Sequence, residues 1–126
     1  MERNTRQRTA IEAVLISAQR PLSPQEVLDA ARVDVPALGI ATVYRHLKAM
    51  VEEAVIQAVP LPGDTPRYEI AGQRHHHHFQ CNACRRVFDV HECPGDLSRL
   101  APKGFKVESH DITLYGHCDE CLSRAG

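Results

Sequence analysis

The chain has 126 residues and a formal net charge of −1, with 43% hydrophobic and 25% charged residues. This composition is typical of a soluble globular protein with one average domain or two very small ones. The balanced charge argues against a protein that coats nucleic acid without sequence preference, and an aromatic content of 5% argues against stacking on single-stranded bases. The sequence shows neither a signal peptide nor a membrane-spanning apolar run, so we expect a cytoplasmic protein.

The first part of the chain shows three helical patterns, which Pro21 and Pro36 separate. Apolar residues recur at helical spacing between Ile11 and Ala18. The run Ser23-Pro24-Gln25-Glu26 predicts the start of a second helix with a capping box. The apolar stripe of the third helix consists of Ile40, Val43, Leu47 and Met50.

Two β-prone runs, 55–59 and 67–70, flank a Pro/Gly-rich turn and predict a hairpin. Three helices followed by a hairpin form a winged helix-turn-helix, whose third helix enters the major groove of DNA. A small helical domain whose third helix only packs is the alternative. The polar face of that helix carries Thr42, Arg45, His46 and Lys48, and Arg3, Arg6 and Arg8 crowd the N-terminus. So few cations for phosphate contacts favour a dimer on a two-fold symmetric DNA site.

The second half holds all five cysteines and seven of the eight histidines. Two CxxC pairs predict a closed tetrahedral zinc site of four thiolates, although two redox pairs are the alternative. The four predicted ligands are Cys81, Cys84, Cys118 and Cys121. The fifth cysteine, Cys93, has no obvious partner in the sequence and is an auxiliary ligand, a reactive thiol or a small apolar residue.

Four consecutive histidines, 75–78, directly precede the first cysteine pair. If this segment is extended, its side chains alternate, so one tetrad can serve two metal sites. Imidazole suits zinc, iron, nickel and copper. Candidate ligands to complete such sites are Glu69, Asp89, Asp96 and His110. Solvated histidines without a metal are the alternative.

The ordered set of motifs resembles the ferric uptake regulator family of bacterial metal-responsive repressors. The motifs that carry the resemblance are Gly39-Ile40-Ala41-Thr42-Val43-Tyr44-Arg45, Tyr68-Glu69 before the histidines, and Leu114-Tyr115-Gly116-His117-Cys118. The resemblance implies an α+β fold, with a winged-helix DNA-binding domain over 1–70 and a metal-binding α/β dimerisation domain over 71–126. It also implies a homodimer that binds palindromic operator DNA when it is loaded with metal.

The resemblance further implies a role for individual residues. Structural zinc is assigned to Cys81, Cys84, Cys118 and Cys121. The sensor site near the hinge is assigned to Glu69, His76, His78 and Asp89. An additional metal site is assigned to His75, His77, Asp96 and His110. DNA contacts are assigned to Thr42, Tyr44 and Arg45, and we add Lys48, Arg6 and Arg8 from their charge and position.

Two departures from the family pattern leave the sensed metal open. Many iron- and peroxide-sensing relatives carry a histidine where this chain has Pro21, and zinc-uptake regulators often carry a cysteine near Ala71. Because the candidate ligands are rich in histidine, we favour zinc over ferrous iron or manganese as the regulatory metal.

We therefore expect a metal-dependent repressor of metal homeostasis genes. An iron-responsive repressor or an iron-dependent peroxide sensor on the same fold is the alternative. A zinc hydrolase using Glu92 or Glu108 lacks any pocket signature, so we expect no enzyme. A protein–protein adaptor that contains structural zinc is a further alternative. It would retain the cysteines but would need no helix that faces DNA.

Overall fold

The computed structural model describes residues 2–125, which form two compact units. The first unit ends at Gln73 and the second begins at Arg74. This division lies three residues beyond the predicted boundary at 70/71, and the assignment of a function to each part stays a prediction. Among the described residues, no helix combines the length and the apolar character that crossing a membrane would require.

The first unit contains three helices and a hairpin, as the sequence predicted. The elements are α1 (Glu2–Ala18), α2 (Pro24–Ala31), α3 (Ile40–Glu52), β1 (Ile56–Leu61) and β2 (Asp64–Ile70). The strands pair antiparallel and are longer than the predicted runs. This order of elements is that of a winged helix.

Local sequence chemistry sets the ends of these elements. The Ser23 hydroxyl accepts a hydrogen bond from the backbone N–H of Glu26 at 3.1 Å, and the Ser23 N–H donates to the Glu26 carboxylate at 3.0 Å. The predicted capping box of α2 is therefore present. In the hairpin, Pro62 and Gly63 connect the strands, and Gly63 takes a φ of 73° that favours glycine.

The core of the first unit is apolar and lies between the three helices and β1. Its fully or nearly fully buried members include Ile11, Leu15, Val27, Leu28, Leu38, Val43, Leu47, Met50 and Ile56. The prediction that Ile40 faces this core is wrong, since its side chain is 39% exposed. The turn before α3 inserts Leu38 in its place, with 1% exposure. His46, predicted on the polar face, is also buried.

The second unit is built on a three-stranded sheet of order β4-β3-β5. The central strand β3 (His77–Cys81) pairs antiparallel with β4 (Val87–Val90) and parallel with β5 (Thr113–Gly116), and α4 (Asp119–Ala125) follows. Among the described residues of this unit, the buried apolar side chains are those of Cys81, Val87 and Cys118. This small set is not an apolar core of the kind that holds the first unit together.

Candidate metal centres

The four cysteines of the two CxxC pairs converge at one end of the sheet. Their sulfurs lie within 4.8 Å of one another, and Cys84 Sγ is 3.8 Å from Cys118 Sγ. A tetrahedral zinc ion with Zn–S bonds of about 2.3 Å places its sulfurs about 3.8 Å apart. None of these cysteines forms a disulfide. The donor set and its spacing therefore fit a structural zinc ion.

The first CxxC pair forms a tight turn at the end of β3. Arg85 adopts a φ of 66°, and its N–H donates to the Cys81 carbonyl at 3.0 Å. The N–H groups of Cys84 and Cys118 point at Cys81 Sγ from 3.5 Å and 3.4 Å. These backbone donors lower the pKa of the Cys81 thiol to about 5, and the N–H of Cys84 contributes most.

Arg86 connects this cluster to the helix that carries its last ligand. Its Nε lies 3.1 Å from Cys84 Sγ, and its Nη2 donates to Glu120 at 2.8 Å. Burial raises the pKa of Cys84, but hydrogen bonds from Arg86 outweigh it and the pKa is lowered. The hydrogen bond with Cys118 raises the pKa of Cys121 to about 12. Four thiolates at this spacing need a bound cation, and Arg86 offsets part of their excess negative charge.

A second group consists of His76, His78 and Asp89 in the second unit. His76 Nε2 and His78 Nε2 lie 3.2 Å and 3.5 Å from Asp89 Oδ1. His76 Nδ1 lies 2.7 Å from the Arg74 carbonyl oxygen, which can only accept, so Nδ1 carries the proton. In the neutral ring, Nε2 then presents its lone pair towards a carboxylate oxygen. A lone pair that faces a carboxylate needs either a cation between His76 Nε2 and Asp89 or a protonated imidazole ring. An imidazole whose other nitrogen donates to a backbone carbonyl, as His76 Nδ1 does, is typical of metal ligands.

Glu69, the predicted fourth sensor ligand, belongs to the first unit. It lies on β2, is 2% exposed, and accepts hydrogen bonds from Gln57 at 3.0 Å and Gln73 at 3.3 Å. A buried carboxylate oriented by two amides is a well-held oxygen donor. Its role as a metal ligand stays a prediction.

A third group joins His75, His77 and His110 with Cys93. The four donor atoms lie within 4.8 Å of one another. His75 Nε2 is 3.2 Å from His110 Nε2, and Cys93 Sγ is 3.3 Å from His110 Nε2 and 3.4 Å from His77 Nε2. Burial, followed by the charges of His75 and His110, lowers the pKa of His77. The extended backbone thus sends alternate histidines of the tetrad to two different groups.

Asp96, the predicted fourth member of that third group, is not part of it in the structure. Its carboxylate accepts hydrogen bonds from the backbone N–H and the hydroxyl of Ser98, at 2.9 Å and 2.5 Å. These bonds, with the charge of His110, keep the pKa of Asp96 below its usual value. Cys93 occupies the place that the resemblance gave to a carboxylate. The sequence signalled this only by an unassigned cysteine between His91 and Pro94.

The residues predicted to contact DNA lie in the first unit. Tyr44, Arg45 and Lys48 are exposed on α3, Thr42 is half-buried, and Arg6 is exposed on α1. Arg8 differs from the other cations because it forms a bidentate ion pair with Glu53, at 2.8 Å and 3.0 Å. Its guanidinium is already engaged within the unit. Arg45 and Lys48 are therefore stronger candidates for phosphate or base contacts than Arg8.

The segment around Pro21, where many relatives carry a sensor histidine, serves the fold of the first unit. The backbone of Leu22 pairs with that of Tyr68 through hydrogen bonds of 2.9 Å and 2.8 Å. Pro21 itself is fully buried. This position therefore packs against the fold and supplies no metal ligand.

Comparison with known proteins identifies the class to which this fold and these groups belong. The model of the ferric uptake regulator family matches residues 2–115. The zinc uptake regulation protein of Mycobacterium tuberculosis is 33% identical over 124 residues, which cover 96% of this chain and 95% of that protein. The peroxide operon regulator of Bacillus subtilis is 29% identical over 126 residues, 97% of this chain and 86% of that protein.

A solved structure of the Helicobacter pylori ferric uptake regulator Fur superposes with a TM-score of 0.72 at 29% identity, covering 92% of this chain and 79% of that chain. The chain therefore belongs to the ferric uptake regulator family. It is a metal-responsive, DNA-binding transcriptional repressor, not an enzyme. Regulators of this family bind operator DNA, often as dimers.

Proposed function

We propose that this regulator responds to zinc and represses zinc homeostasis genes, as a cytoplasmic homodimer on palindromic operator DNA. The observation that carries the proposal is the presence of two histidine groups in addition to the four-cysteine cluster. The Helicobacter pylori Fur structure is described as having three functional metal binding sites, and residues 2–125 of this chain contain three candidate groups. A relative that shares 33% of its residues over nearly its whole length is a zinc uptake regulator.

Two of the three groups have distinct roles in this proposal. The cysteine cluster would hold structural zinc permanently, because its four sulfurs lie within 4.8 Å of one another and form a closed tetrahedral set. His76, His78 and Asp89, with Glu69 as the predicted fourth ligand, form the sensor site. The side chains of His76 and Asp89 are only 5% and 6% exposed. Because water screens them little, a change in their charge has a large electrostatic effect on the surrounding protein.

The response is a shift between two populations of the dimer. His76, His78 and Asp89 would hold a divalent cation, which would supply the positive charge that the Asp89 carboxylate and the imidazole lone pairs face. If the DNA-binding form holds the metal more tightly, metal favours DNA binding, and DNA must tighten metal binding by the same factor. A coupling of about 1–3 kcal/mol corresponds to about 5–150-fold.

Recognition of DNA is assigned to α3. Arg45 and Lys48 supply positive charge, and Thr42 and Tyr44 supply hydroxyl groups on the same helix. Arg6 adds a cation from α1. Replacing Arg45 with alanine is expected to weaken operator binding by about 1–3 kcal/mol, the usual range for an arginine that reads a base. Arg8→Ala is the matched control, and we expect a smaller loss because Arg8 pairs with Glu53.

The proposal is tested by measuring DNA binding against free metal. A duplex is first selected from a random-sequence library by the metal-loaded protein, separately for zinc, ferrous iron and manganese. Binding of the selected duplexes is then titrated anaerobically with each buffered metal, while one zinc per chain is verified to remain in the cysteine cluster. Activation by zinc at the lowest free concentration is the expected result. Activation by iron or manganese alone would overturn the assignment of zinc, and no response to any metal would overturn metal regulation.

Variants of the sensor group sharpen this test. Asp89→Asn keeps the size of the side chain but removes its charge, and we expect it to abolish the metal response while leaving the structural zinc in place. Glu69→Gln tests whether the first unit contributes a ligand, and a metal response equal to that of the natural sequence would remove Glu69 from the site.

Peroxide sensing is a second candidate function, favoured by one set of relatives. The Bacillus subtilis relative is a peroxide operon regulator, and a group of two imidazoles and a carboxylate suits ferrous iron. Oxidation of His76 or His78 would add one oxygen atom in mass after treatment with ferrous iron and peroxide. Peptide mass spectrometry showing this addition, with loss of DNA binding, would support it. Unchanged histidines with intact DNA binding would exclude it.

A further inference from the structure

Cys93 is the cysteine that the four-cysteine cluster does not use. It lies in the irregular segment after β4, and its side chain is exposed. Three groups approach its sulfur: His110 Nε2 at 3.3 Å, His77 Nε2 at 3.4 Å and the N–H of Gly95 at 3.5 Å. A free cysteine with a purely packing role is usually buried among apolar atoms. Cys93 instead faces imidazole nitrogens.

The spacing of this group matches a tetrahedral zinc ion. With Zn–N bonds of about 2.05 Å and Zn–S bonds of about 2.3 Å, the nitrogens lie about 3.3 Å apart and each nitrogen lies about 3.6 Å from the sulfur. The corresponding separations here are 3.2 Å between His75 and His110, and 3.3 Å and 3.4 Å to the sulfur. The group therefore needs only small adjustments to accept the ion.

We propose that Cys93, with His75, His77 and His110, forms an exchangeable zinc site whose fourth ligand is a thiolate. This inference deepens the proposed function and rests on it for the regulatory meaning of the metal. A thiolate ligand selects zinc over manganese and magnesium, which favour oxygen ligands. All four donors come from the second unit. Because Cys93 is exposed, the site exchanges metal with solvent more readily than the cysteine cluster.

The three imidazoles are not equivalent in this site. The N–H of Ile112 donates to His77 Nδ1 at 3.1 Å, so the proton of the neutral ring sits on Nε2, the nitrogen that faces Cys93. To bind zinc through Nε2, His77 must move its proton to Nδ1 and give up the bond from Ile112. We therefore expect His77 to be the weakest of the three nitrogen ligands.

Asp96 is the alternative candidate for the fourth ligand and therefore serves as the control for Cys93. The family resemblance gives the fourth ligand position to Asp96, whereas the structure gives it to Cys93. Since the Asp96 carboxylate is held by Ser98, its replacement with asparagine keeps an oxygen for Ser98 and removes the charge. The pair of variants Cys93→Ser and Asp96→Asn therefore separates a thiolate ligand from a carboxylate ligand.

The experiment is a titration with cobalt(II), a spectroscopic substitute for zinc, into protein that keeps one zinc per chain. With the cluster cysteines occupied by zinc, Cys93 is the remaining thiolate that can give a sulfur-to-cobalt charge-transfer band in the near ultraviolet. We expect this band in the natural sequence and in Asp96→Asn, and its loss in Cys93→Ser. A zinc count before and after the titration excludes cobalt in the cysteine cluster.

Competition with a chromophoric zinc chelator then ranks the ligands. Since changes around a ligand already reduce metal affinity about 10–100-fold, loss of the Cys93 thiolate should reduce zinc affinity at this site at least about tenfold. His110→Ala should reduce it as much, and His77→Ala should reduce it less. A charge-transfer band that survives in Cys93→Ser, or zinc affinity lost only in Asp96→Asn, would overturn the thiolate site. Neither result depends on DNA binding, so failure of this inference is distinct from failure of the proposed function.

Discussion

The two units of this chain reach a stable structure by different means. The first unit buries twelve of its described residues in one apolar cluster between its helices and β1. Among its described residues, the second unit buries few apolar side chains and instead contains clustered cysteines and histidines that could bind metal. A sheet this small is marginal by apolar burial alone, and the proposed structural zinc would supply folding free energy directly. The comparison teaches that the first unit is stabilised by apolar burial, and it predicts that the stability of the second unit depends on metal.

The largest effect is expected from loss of zinc from the four-cysteine cluster, which should unfold the second unit and leave the first unit folded. Cys118→Ser removes a buried ligand, and structural zinc sites contribute an apparent free energy of about 10–16 kcal/mol in small zinc-folded domains. We expect the variant to lose its zinc and the amides of β3 and β5 to lose protection from hydrogen exchange, while α1–α3 stay protected. Zinc content and exchange by mass spectrometry measure both. Cys93→Ser, the same change outside the cluster, should keep this zinc, and protected β3 amides in zinc-free Cys118→Ser would contradict the contrast.

A substitution in the apolar core should destabilise the first unit without affecting zinc binding by the second. Leu47 is fully buried in the apolar cluster, so Leu47→Ala should reduce the free energy of unfolding of this unit by about 2–5 kcal/mol. Chemical denaturation followed by the helical circular dichroism signal measures the loss. The zinc content should not change at denaturant concentrations where the second unit is folded. A parallel loss of zinc would show that the two units do not have separate sources of stability.

Arg86 offers a smaller change within the second unit. Its guanidinium contacts Cys84 and Cys118 and pairs with Glu120, so it offsets the charge of the thiolates. Arg86→Met keeps the length and the apolar stem but removes the charge. We expect zinc affinity of the cluster to fall about 10–100-fold, as is usual for changes next to ligands. Chelator competition gives the affinity, Arg86→Lys should recover part of it, and unchanged affinity in Arg86→Met would exclude an electrostatic role.

The smallest expected effect is a pH dependence in the first unit. Burial, followed by the charges of Arg45 and Arg8, lowers the pKa of His46 from its ordinary value of 6.5. Above pH 6.5 the ring is neutral in both the folded and the unfolded chain, so it contributes no pH dependence. Below pH 6.5 the unfolded chain takes up a proton that the folded chain does not, and the stability of this unit falls. His46→Gln should flatten this fall in hydrogen exchange of α3, and an unchanged slope would contradict the assignment.

Much of the fold could be predicted because its signals are local. The stripe from Ile11 to Ala18, the capping box at Ser23 and the turn at Gly63 act over a few residues, and the structure has the corresponding helices and hairpin. The four-cysteine cluster could be predicted because both CxxC pairs are visible in the sequence and each pair brings its two sulfurs close together. The alternation of the histidine tetrad follows from an extended backbone alone.

The remaining features depend on which distant segments meet. Leu38, which precedes α3, is buried in the core, whereas Ile40 on the helix is exposed, and the helical spacing alone does not indicate this. Cys93 reaches His110 across 17 positions of mostly irregular chain that includes a short 3-10 helix (Ser98–Leu100), and no periodic pattern marks such a contact. Likewise, the pairing of Arg8 with Glu53 spans 45 positions and distinguishes this arginine from its neighbours only in three dimensions.

Stepwise chelation of the purified protein tests the central claim, that exchangeable metal in the histidine groups controls DNA binding while the cluster zinc maintains the fold. Metal content, binding of the selected duplex and circular dichroism are followed on the same samples as chelator strength increases. The account predicts that DNA binding is lost first, with one zinc per chain retained and the fold unchanged, and that it returns when zinc is added back. DNA binding that persists until the cluster zinc leaves and the second unit unfolds would contradict the account.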